Sequence, residues 1–128
     1  MKMITANINF LTNNFTVDLT CRDSELRAKL NGAGVLMQPN MIPLNNTMTL
    51  KVHLIPDDNI GEMICGIVNT NKDTLGSVQR LCRHYYCLNS RHKAKFTEKL
   101  ENGEITSVEQ GISVAQKMRE VRKTEYSR

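Results

Sequence analysis

The sequence predicts an α+β fold in which an antiparallel sheet of about five strands is followed by helices. Residues 1–70 are strand-rich, because polar and apolar residues alternate there with the period of a half-buried strand. Residues 73–126 repeat apolar residues with a helical period instead. This segregation disfavours a parallel βαβ sheet, and the chain length of 128 residues favours a single domain spanning 1–128.

Four segments of the first half predict strands. Residues 3–10 and 15–22 alternate, and the turn residues Thr12–Asn14 between them predict a hairpin, since Asn tolerates a positive φ. Residues 34–38 predict a short strand after a turn. Residues 47–55 give the clearest alternation in the chain.

One short helix interrupts these strands. Glu25 to Leu30 predicts a helix that Asp23 or Ser24 caps at its start. The pair Asn31–Gly32 ends it, because both residues accept the left-handed conformation that closes a helix.

Residues 60–68 fit two structures. The turn residues of 56–61 and the short apolar run that follows predict a return strand over 63–68, which is the interpretation we prefer. The alternative is a helix behind an Asp57 cap. It is supported by the helical spacing of four apolar residues, namely Ile60, Met63, Ile64 and Ile67.

Two helices complete the prediction. The apolar residues of 74–101 keep one helical phase throughout, which predicts a single long amphipathic helix of ~40 Å. Asn102–Gly103 ends it. Thr106 and Ser107, followed by Glu109–Gln110, resemble a capping box and start the second helix.

Net positive charge is confined to the second half of the chain. Residues 1–72 hold six Lys or Arg and six Asp or Glu, whereas residues 73–128 hold eleven and seven, so the whole net charge of +4 lies there. With a pI near 9.0, this asymmetry indicates an anionic partner.

The basic face of the predicted long helix is the strongest functional signal. It consists of Arg80, Arg83, His84, Arg91 and Lys95, opposite the apolar stripe. Such a row can follow a phosphate backbone, and Arg binds phosphate through two hydrogen bonds. We therefore predict a non-enzymatic protein that binds nucleic acid or a nucleic-acid-handling complex. The alternatives are a solvated outer face, an acidic protein partner that the chain inhibits, or an oligomer that sequesters a small anionic ligand.

Catalytic and metal chemistry are weakly supported. Cys82, Cys87 and His92 are spaced by five residues, and on one helix these side chains diverge, so we expect no zinc and no cofactor. Cys87 and His84 share a helix face, which leaves a cysteine-dependent enzyme as a further alternative. No oxyanion hole or third orienting group accompanies them, so we assign no catalytic residue.

The predicted long helix also suggests a homodimer. Because it is longer than a small sheet is wide, part of its apolar stripe should overhang and pair with a second copy. The predicted interface consists of Tyr85, Asn89, Phe96, Leu100, Val114 and Val121.

The compartment is inferred from what the sequence lacks. Polar residues interrupt each apolar stretch after Lys2, so no signal-peptide core is evident, and no run approaches the ~18 apolar residues of a membrane span. The four cysteines follow no disulfide spacing. We expect a cytoplasmic protein without membrane partners. The thirteen Asn suggest an AT-rich genome such as that of a phage or mobile element, and hence a host-cell cytoplasm.

Overall fold

The structure is a computed structural model that describes the backbone of residues 2–126 and the side chains of residues 2–120. In this part of the chain the α+β class is confirmed, but the sheet has three antiparallel strands rather than five, in the order β2-β1-β3. The strands are β1 (Ile4–Phe10), β2 (Asn13–Asp18) and β3 (Leu50–Pro56). The helices are α1 (Asp23–Gly32), a short 3-10 helix (Pro39–Met41), α2 (Asn59–Ile67), α3 (Leu75–Tyr86), α4 (Ser90–Glu101) and α5 (Val108–Tyr126).

The first hairpin forms where the alternation predicts it, with a tighter turn. Phe10 pairs with Asn13, so the turn is Leu11–Thr12, and Leu11 adopts the positive φ of 54° that was expected of an Asn. Asn14 instead continues the strand, and its side-chain amide donates to Asn7 Oδ1 at 3.1 Å on the outer face of the sheet. The other face of β1 is apolar and buried in the core.

Residues 34–38 do not form the predicted strand, because their backbone groups close α1. The Val35 amide donates to the Leu30 carbonyl at 2.9 Å and the Gly34 amide to the Asn31 carbonyl at 3.0 Å. Gly34 takes the left-handed φ of 86° at this helix end. The chain then passes directly into the 3-10 helix.

The return strand predicted over 63–68 is also wrong, and the helical alternative forms as α2. Its cap is Asp58 rather than Asp57: the Asp58 carboxylate accepts from the Gly61 amide at 2.7 Å. A Cβ at Gly61 would lie 1.8 Å from the Met3 carbonyl oxygen, so the start of α2 lies against the backbone that precedes β1. Gly76 likewise allows α3 to lie against the 3-10 helix, since a Cβ there would be 2.6 Å from the backbone nitrogen of Asn40.

The single helix predicted over 74–101 is two helices, α3 and α4. The Leu88 amide donates to the Tyr85 carbonyl at 3.0 Å as α3 ends, and the Asn89 side chain caps α4 by accepting from the His92 amide at 2.8 Å. The three residues between the helices amount to almost one turn of 3.6 residues. The apolar residues of α4 therefore follow those of α3 at nearly the spacing of one unbroken helix. For this reason the periodicity of the sequence alone could not reveal the break.

A helical hairpin built on α3 positions the candidate site. The turn after α4 contains Gly103 at a φ of 73°, and α5 then packs beside α3, where Gly111 allows Leu81 to approach closely. Ala115 of α5 and Phe96 of α4 are fully buried in the core. The outer surfaces of α4 and α5 thus lie side by side with a groove between them.

Candidate nucleic-acid interface

The break at Asn89 divides the predicted basic face into two surfaces. Arg80, Arg83 and His84 lie on α3 and are called the α3 surface below. Arg91 and Lys95 lie on α4, beyond the break. The five side chains that the sequence placed on one line are therefore carried by two separate helices.

Arg83 is engaged by the protein itself. Its Nη1 donates to the Thr20 carbonyl at 3.1 Å, which links α3 to the segment between β2 and α1. The guanidinium carbon also lies 5.3 Å from the centre of the Tyr86 ring. This side chain is half-buried, and a ligand would have to compete with both contacts.

His84 is engaged as well, by a residue from a different helix. Arg119 Nη1 of α5 donates to His84 Nδ1 at 3.0 Å. Burial, followed by the charges of Arg119 and Arg80, lowers the pKa of His84 from its ordinary 6.5. The ring is thus favoured in its neutral form near pH 7, and the added positive charge expected of His84 is disfavoured.

Arg80 faces a different part of the molecule. It lines a cavity of about 320 Å³ between α1, the 3-10 helix and α3. Arg27 and Asp23 line the same cavity and form a salt bridge of 2.7 Å with each other. Arg80 itself is exposed, so it remains the accessible cation of the α3 surface.

Four cations line a cavity between α4 and α5. This cavity, of about 390 Å³, is called the α4–α5 groove. Its lining consists of Arg91, His92, Lys95, Lys99, Val114, Lys117 and Met118. The structure thus adds Lys99 and Lys117 to the residues predicted from sequence, and none of these lining residues is acidic.

Most of the groove cations form no salt bridge with the side chains that the structure describes. Lys99 is 3.8 Å from the Glu104 carboxylate, a long and partly exposed pair. Among the side chains of residues 2–120, no carboxylate forms a salt bridge with Arg91, Lys95 or Lys117. Because like charges that share a small volume repel one another, an anion in the groove would lower this repulsion.

One of the residues that line this groove is almost fully buried. His92 is only 5% exposed, and its Nδ1 has no hydrogen-bond partner in the part of the chain that the structure describes. Its backbone amide, by contrast, is held by the Asn89 cap. Sequence reasoning considered His92 only as a zinc ligand and did not connect it with the basic residues one turn away.

An exposed aromatic ring was also missed. Tyr85, which was predicted for the dimer interface, packs against Phe96 of the same chain, with ring centres 5.5 Å apart. Tyr86, however, is 41% exposed, and Lys93 Nζ lies 5.5 Å from its centre while Arg83 approaches it too. The corner between α3 and α4 therefore presents an aromatic side chain among cations.

The residues predicted for a dimer interface mostly serve the chain's own fold. Phe96 and Tyr85 are 0% and 6% exposed in the core, and Asn89 caps α4. Leu100 and Val114 are half-buried, and the side chain of Val121 lies outside the described residues. The overhanging 40 Å helix that suggested a dimer does not form, so the dimer stays a prediction without that argument.

The cysteines give little support to thiol chemistry. Burial raises the pKa of the thiols of Cys21, Cys65 and Cys82, which makes them poor nucleophiles at neutral pH. The Nδ1 of His84, the proposed partner of Cys87, accepts from Arg119. Within the described residues, no three His, Cys, Asp or Glu side chains are grouped to hold a metal ion.

Comparisons with protein-family models, with curated proteins and with solved structures find no match to this chain. The helices of the described residues include none with the length and apolar character needed to cross a membrane. A functional proposal therefore depends on the chemistry of this chain's own surface.

Proposed function

We propose that the protein binds nucleic acid and that the α4–α5 groove contacts the phosphate backbone. The observation that supports this most is the arrangement of its cations. Arg91, Lys95 and Lys99 succeed one another every four residues on α4, and Lys117 faces them from α5. Three of the four make no salt bridge among the described side chains, so their charge is available to a ligand.

The dimensions suit a run of phosphates. Residues spaced by four on a helix are about 6 Å apart along its axis, so Arg91 to Lys99 covers about 12 Å. One strand of a duplex carries a phosphate about every 3.4 Å of axis, and this row therefore spans about three to four phosphates.

The rest of the helical region adds a long-range attraction. The net charge of +4 is carried entirely by residues 73–128, so a polyanion is steered toward the helices rather than the sheet. Arg80 of the α3 surface is exposed and extends the positive field. Arg83 and His84 have internal partners, and we propose only a peripheral role for them.

A binding assay with matched charge variants tests this function. Fluorescence anisotropy with short labelled single-stranded and duplex DNA and RNA should show that log K falls linearly with log salt, with a slope of about −0.9 per phosphate contacted on duplex DNA. The variant Lys95→Glu/Lys117→Glu should bind at least about 100-fold more weakly.

The matched control makes the same change of charge in the strand-rich part of the chain, away from the groove lining. Lys2→Glu/Lys51→Glu alters two exposed residues of the strand-rich part, including one on β3, and should lower affinity by less than about threefold. Equal losses in both variants would assign binding to net charge alone. Unchanged binding in the groove variant, with unchanged circular dichroism, would reject the proposed interface.

The oligomeric state is a separate proposal that the same samples can test. We retain a homodimer through the C-terminal helices, whose half-buried Leu100 lies outside the groove lining and leaves some apolar surface accessible. Light scattering with and without nucleic acid compares the measured mass with the 14.5 kDa of one chain. A single-chain mass at micromolar concentration would reject the dimer and leave the groove unaffected.

A further inference from the structure

The cavity that Arg80 lines also contains a nearly buried amide. This cavity of about 320 Å³ lies between α1, the 3-10 helix and α3 and is called the Gln79 cavity below. Gln79 is only 2% exposed, and its Nε2 donates to the Cys21 carbonyl at 2.8 Å. A carbonyl can only accept, so this hydrogen bond fixes which end of the amide is the nitrogen. The other end, Oε1, is therefore an acceptor.

The Oε1 atom of Gln79 is available to a ligand. No group in the described part of the chain donates to it, and it is not sealed from water in the way that Nδ1 of His92 is. Since almost the whole side chain is covered, its open part is the part that meets the cavity. Buried amides usually engage both of their polar atoms, so a ligand with an N–H group can complete this one.

The rest of the lining provides both donors and acceptors. The buried part adds Pro39 and Gly76, which bring no polar side chain, so Oε1 is its polar side-chain atom. Its exposed part consists of Asp23, Arg27, Gln38, Asn40 and Arg80. Asp23 Oδ2 and Arg27 are paired at 2.7 Å, whereas Arg80 forms no salt bridge with any side chain of residues 2–120. A ligand here meets a free guanidinium, a carboxylate and an amide oxygen.

This combination suits a nucleobase, and guanine in particular. Guanine has two neighbouring acceptors, O6 and N7, which arginine binds through two hydrogen bonds. Its N1–H and N2 amino groups are donors, which Gln79 Oε1 and the Asp23 carboxylate can accept. Adenine has an amino group where guanine has O6, so an arginine would face a donor there. The volume of about 320 Å³ is within the range of pockets for small ligands.

We propose that the Gln79 cavity binds an unpaired guanine base, with Gln79 Oε1 accepting from its N1–H or N2 amino group and Arg80 donating to O6 and N7. The base has to be unpaired, because in a duplex cytosine already occupies N1 and N2. This inference rests on the proposed function: the guanine belongs to a nucleic acid strand whose phosphates bind the helices. It gives a sequence preference to a protein whose groove contacts only the backbone.

The experiment uses the full chain and labelled thymidine strands of about twelve nucleotides, each with one different central base. The four central bases are guanine, adenine, hypoxanthine and 7-deazaguanine. Anisotropy should show the guanine strand binding at least about tenfold more tightly than the adenine strand. Hypoxanthine lacks the N2 amino group and 7-deazaguanine lacks N7, so each should bind at least about threefold more weakly than guanine.

Substitutions at the two contacts separate recognition from packing. Arg80→Lys keeps the charge but lacks the planar fork, so the preference for guanine over adenine should fall below about twofold without a change in Tm. Arg22→Lys, at an exposed position outside the lining, is the matched control and should keep the preference. Gln79→Met fills a similar volume without Oε1 and also loses the Cys21 hydrogen bond, so it should lower Tm.

The pattern across bases gives Gln79→Met a readout that a loss of stability does not produce. In this variant guanine and hypoxanthine strands should bind equally, while 7-deazaguanine should still bind more weakly than guanine, because Arg80 remains. If Gln79→Met fails to fold, Arg80→Lys decides the assignment, since it should lose the discrimination against 7-deazaguanine.

The outcomes separate the guanine site from the proposed backbone binding. Equal binding of all four strands at a measurable affinity overturns the guanine site and leaves backbone binding in place. Calorimetric binding of guanosine 5′-monophosphate but not adenosine 5′-monophosphate, with no strand bound, supports the site and rejects backbone binding. The absence of all binding rejects both. A guanine preference that persists in Arg80→Lys overturns the assignment to this cavity.

Discussion

The α3 surface and the α4–α5 groove carry similar residues but hold their charge differently. On the α3 surface, Arg83 donates to the Thr20 carbonyl, and His84 accepts from Arg119. In the groove, Arg91, Lys95 and Lys117 have no salt bridge within residues 2–120. The formal charge of a surface therefore does not measure what it offers a ligand, since internal partners decide which cations are available.

Among single substitutions, the largest expected effect comes from placing a carboxylate inside the groove. Val114 lines the groove and is half-buried, so Val114→Glu places a carboxylate among its cations. Nucleic acid affinity measured by anisotropy should fall at least about tenfold, because the lysines gain a competing anion. Ser113→Glu adds the same charge at the neighbouring exposed position and should lower affinity by less than about threefold. Equal effects of the two variants would contradict a localised interface.

Neutralising one arginine on each surface should produce opposite results. Arg83→Gln removes the hydrogen bond to Thr20 and the approach to Tyr86, so the free energy of unfolding should fall by about 1 kcal/mol while affinity changes by less than about twofold. Arg91→Gln should lower affinity by about threefold to tenfold and change stability by less than about 0.5 kcal/mol. Urea unfolding measures the stability of each variant, and anisotropy measures its affinity on the same samples. If both variants changed stability and affinity alike, the α3 surface and the groove would not differ in the way proposed.

The break that separates the two surfaces can be weakened directly. Asn89→Ala removes the side chain that caps α4, which should lower the free energy of unfolding by about 1 kcal/mol. Ser90→Ala, at the first residue of α4, is the matched control and should have an effect within about 0.5 kcal/mol. An Asn89→Ala variant as stable as the parent would indicate that the cap does not maintain the break.

The smallest expected effect is a pH dependence on the α3 surface. Folding lowers the pKa of His84 below 6.5, through burial and then through Arg119 and Arg80, so the unfolded chain binds this proton more tightly. The contribution of His84 to the free energy of unfolding is fully present above pH 6.5. It is lost as the pH falls through 6.5 toward the lower folded pKa. Because the ring is partly exposed, we expect only a few tenths of a kcal/mol. Urea midpoints on either side of pH 6.5 should differ less in His84→Gln than in the parent, and an equal difference would exclude His84 as the source.

Sequence patterns predicted the elements whose faces are strictly alternating. β1, β2 and β3 were predicted because one face of each is apolar, although β2 ends at Asp18, where the chain leaves the sheet to start α1. Residues 34–38 and 63–68 were assigned wrongly for local reasons. The backbone amide of Val35 donates to the last turn of α1, so the first segment cannot pair as a strand. In the second segment, the Asp58 carboxylate accepts from the Gly61 amide and starts a helix.

The sequence could predict only some of the residues that line the groove. Arg91 and Lys95 could be found because residues four apart share a helix face. Lys117 and Arg119 could not be paired with α4 and α3, since that pairing depends on how α5 packs through Gly111 onto Leu81. The unpaired nitrogen of His92 has no sequence signal, because the burial of this side chain arises only in the folded chain.

Two positions in this chain have no room for any side chain, and this affects how the sequence can diverge. At Gly61 and Gly76 an added Cβ would meet backbone atoms of Met3 and Asn40, which cannot rotate away as a side chain can. In the core, a larger side chain can be compensated by a smaller one at a neighbouring position. These glycines, by contrast, can be replaced only if whole backbone segments shift. A remote descendant of this fold should therefore be recognisable from an Asp three residues before the first glycine and a Thr two residues before the second, even where every groove cation has been replaced.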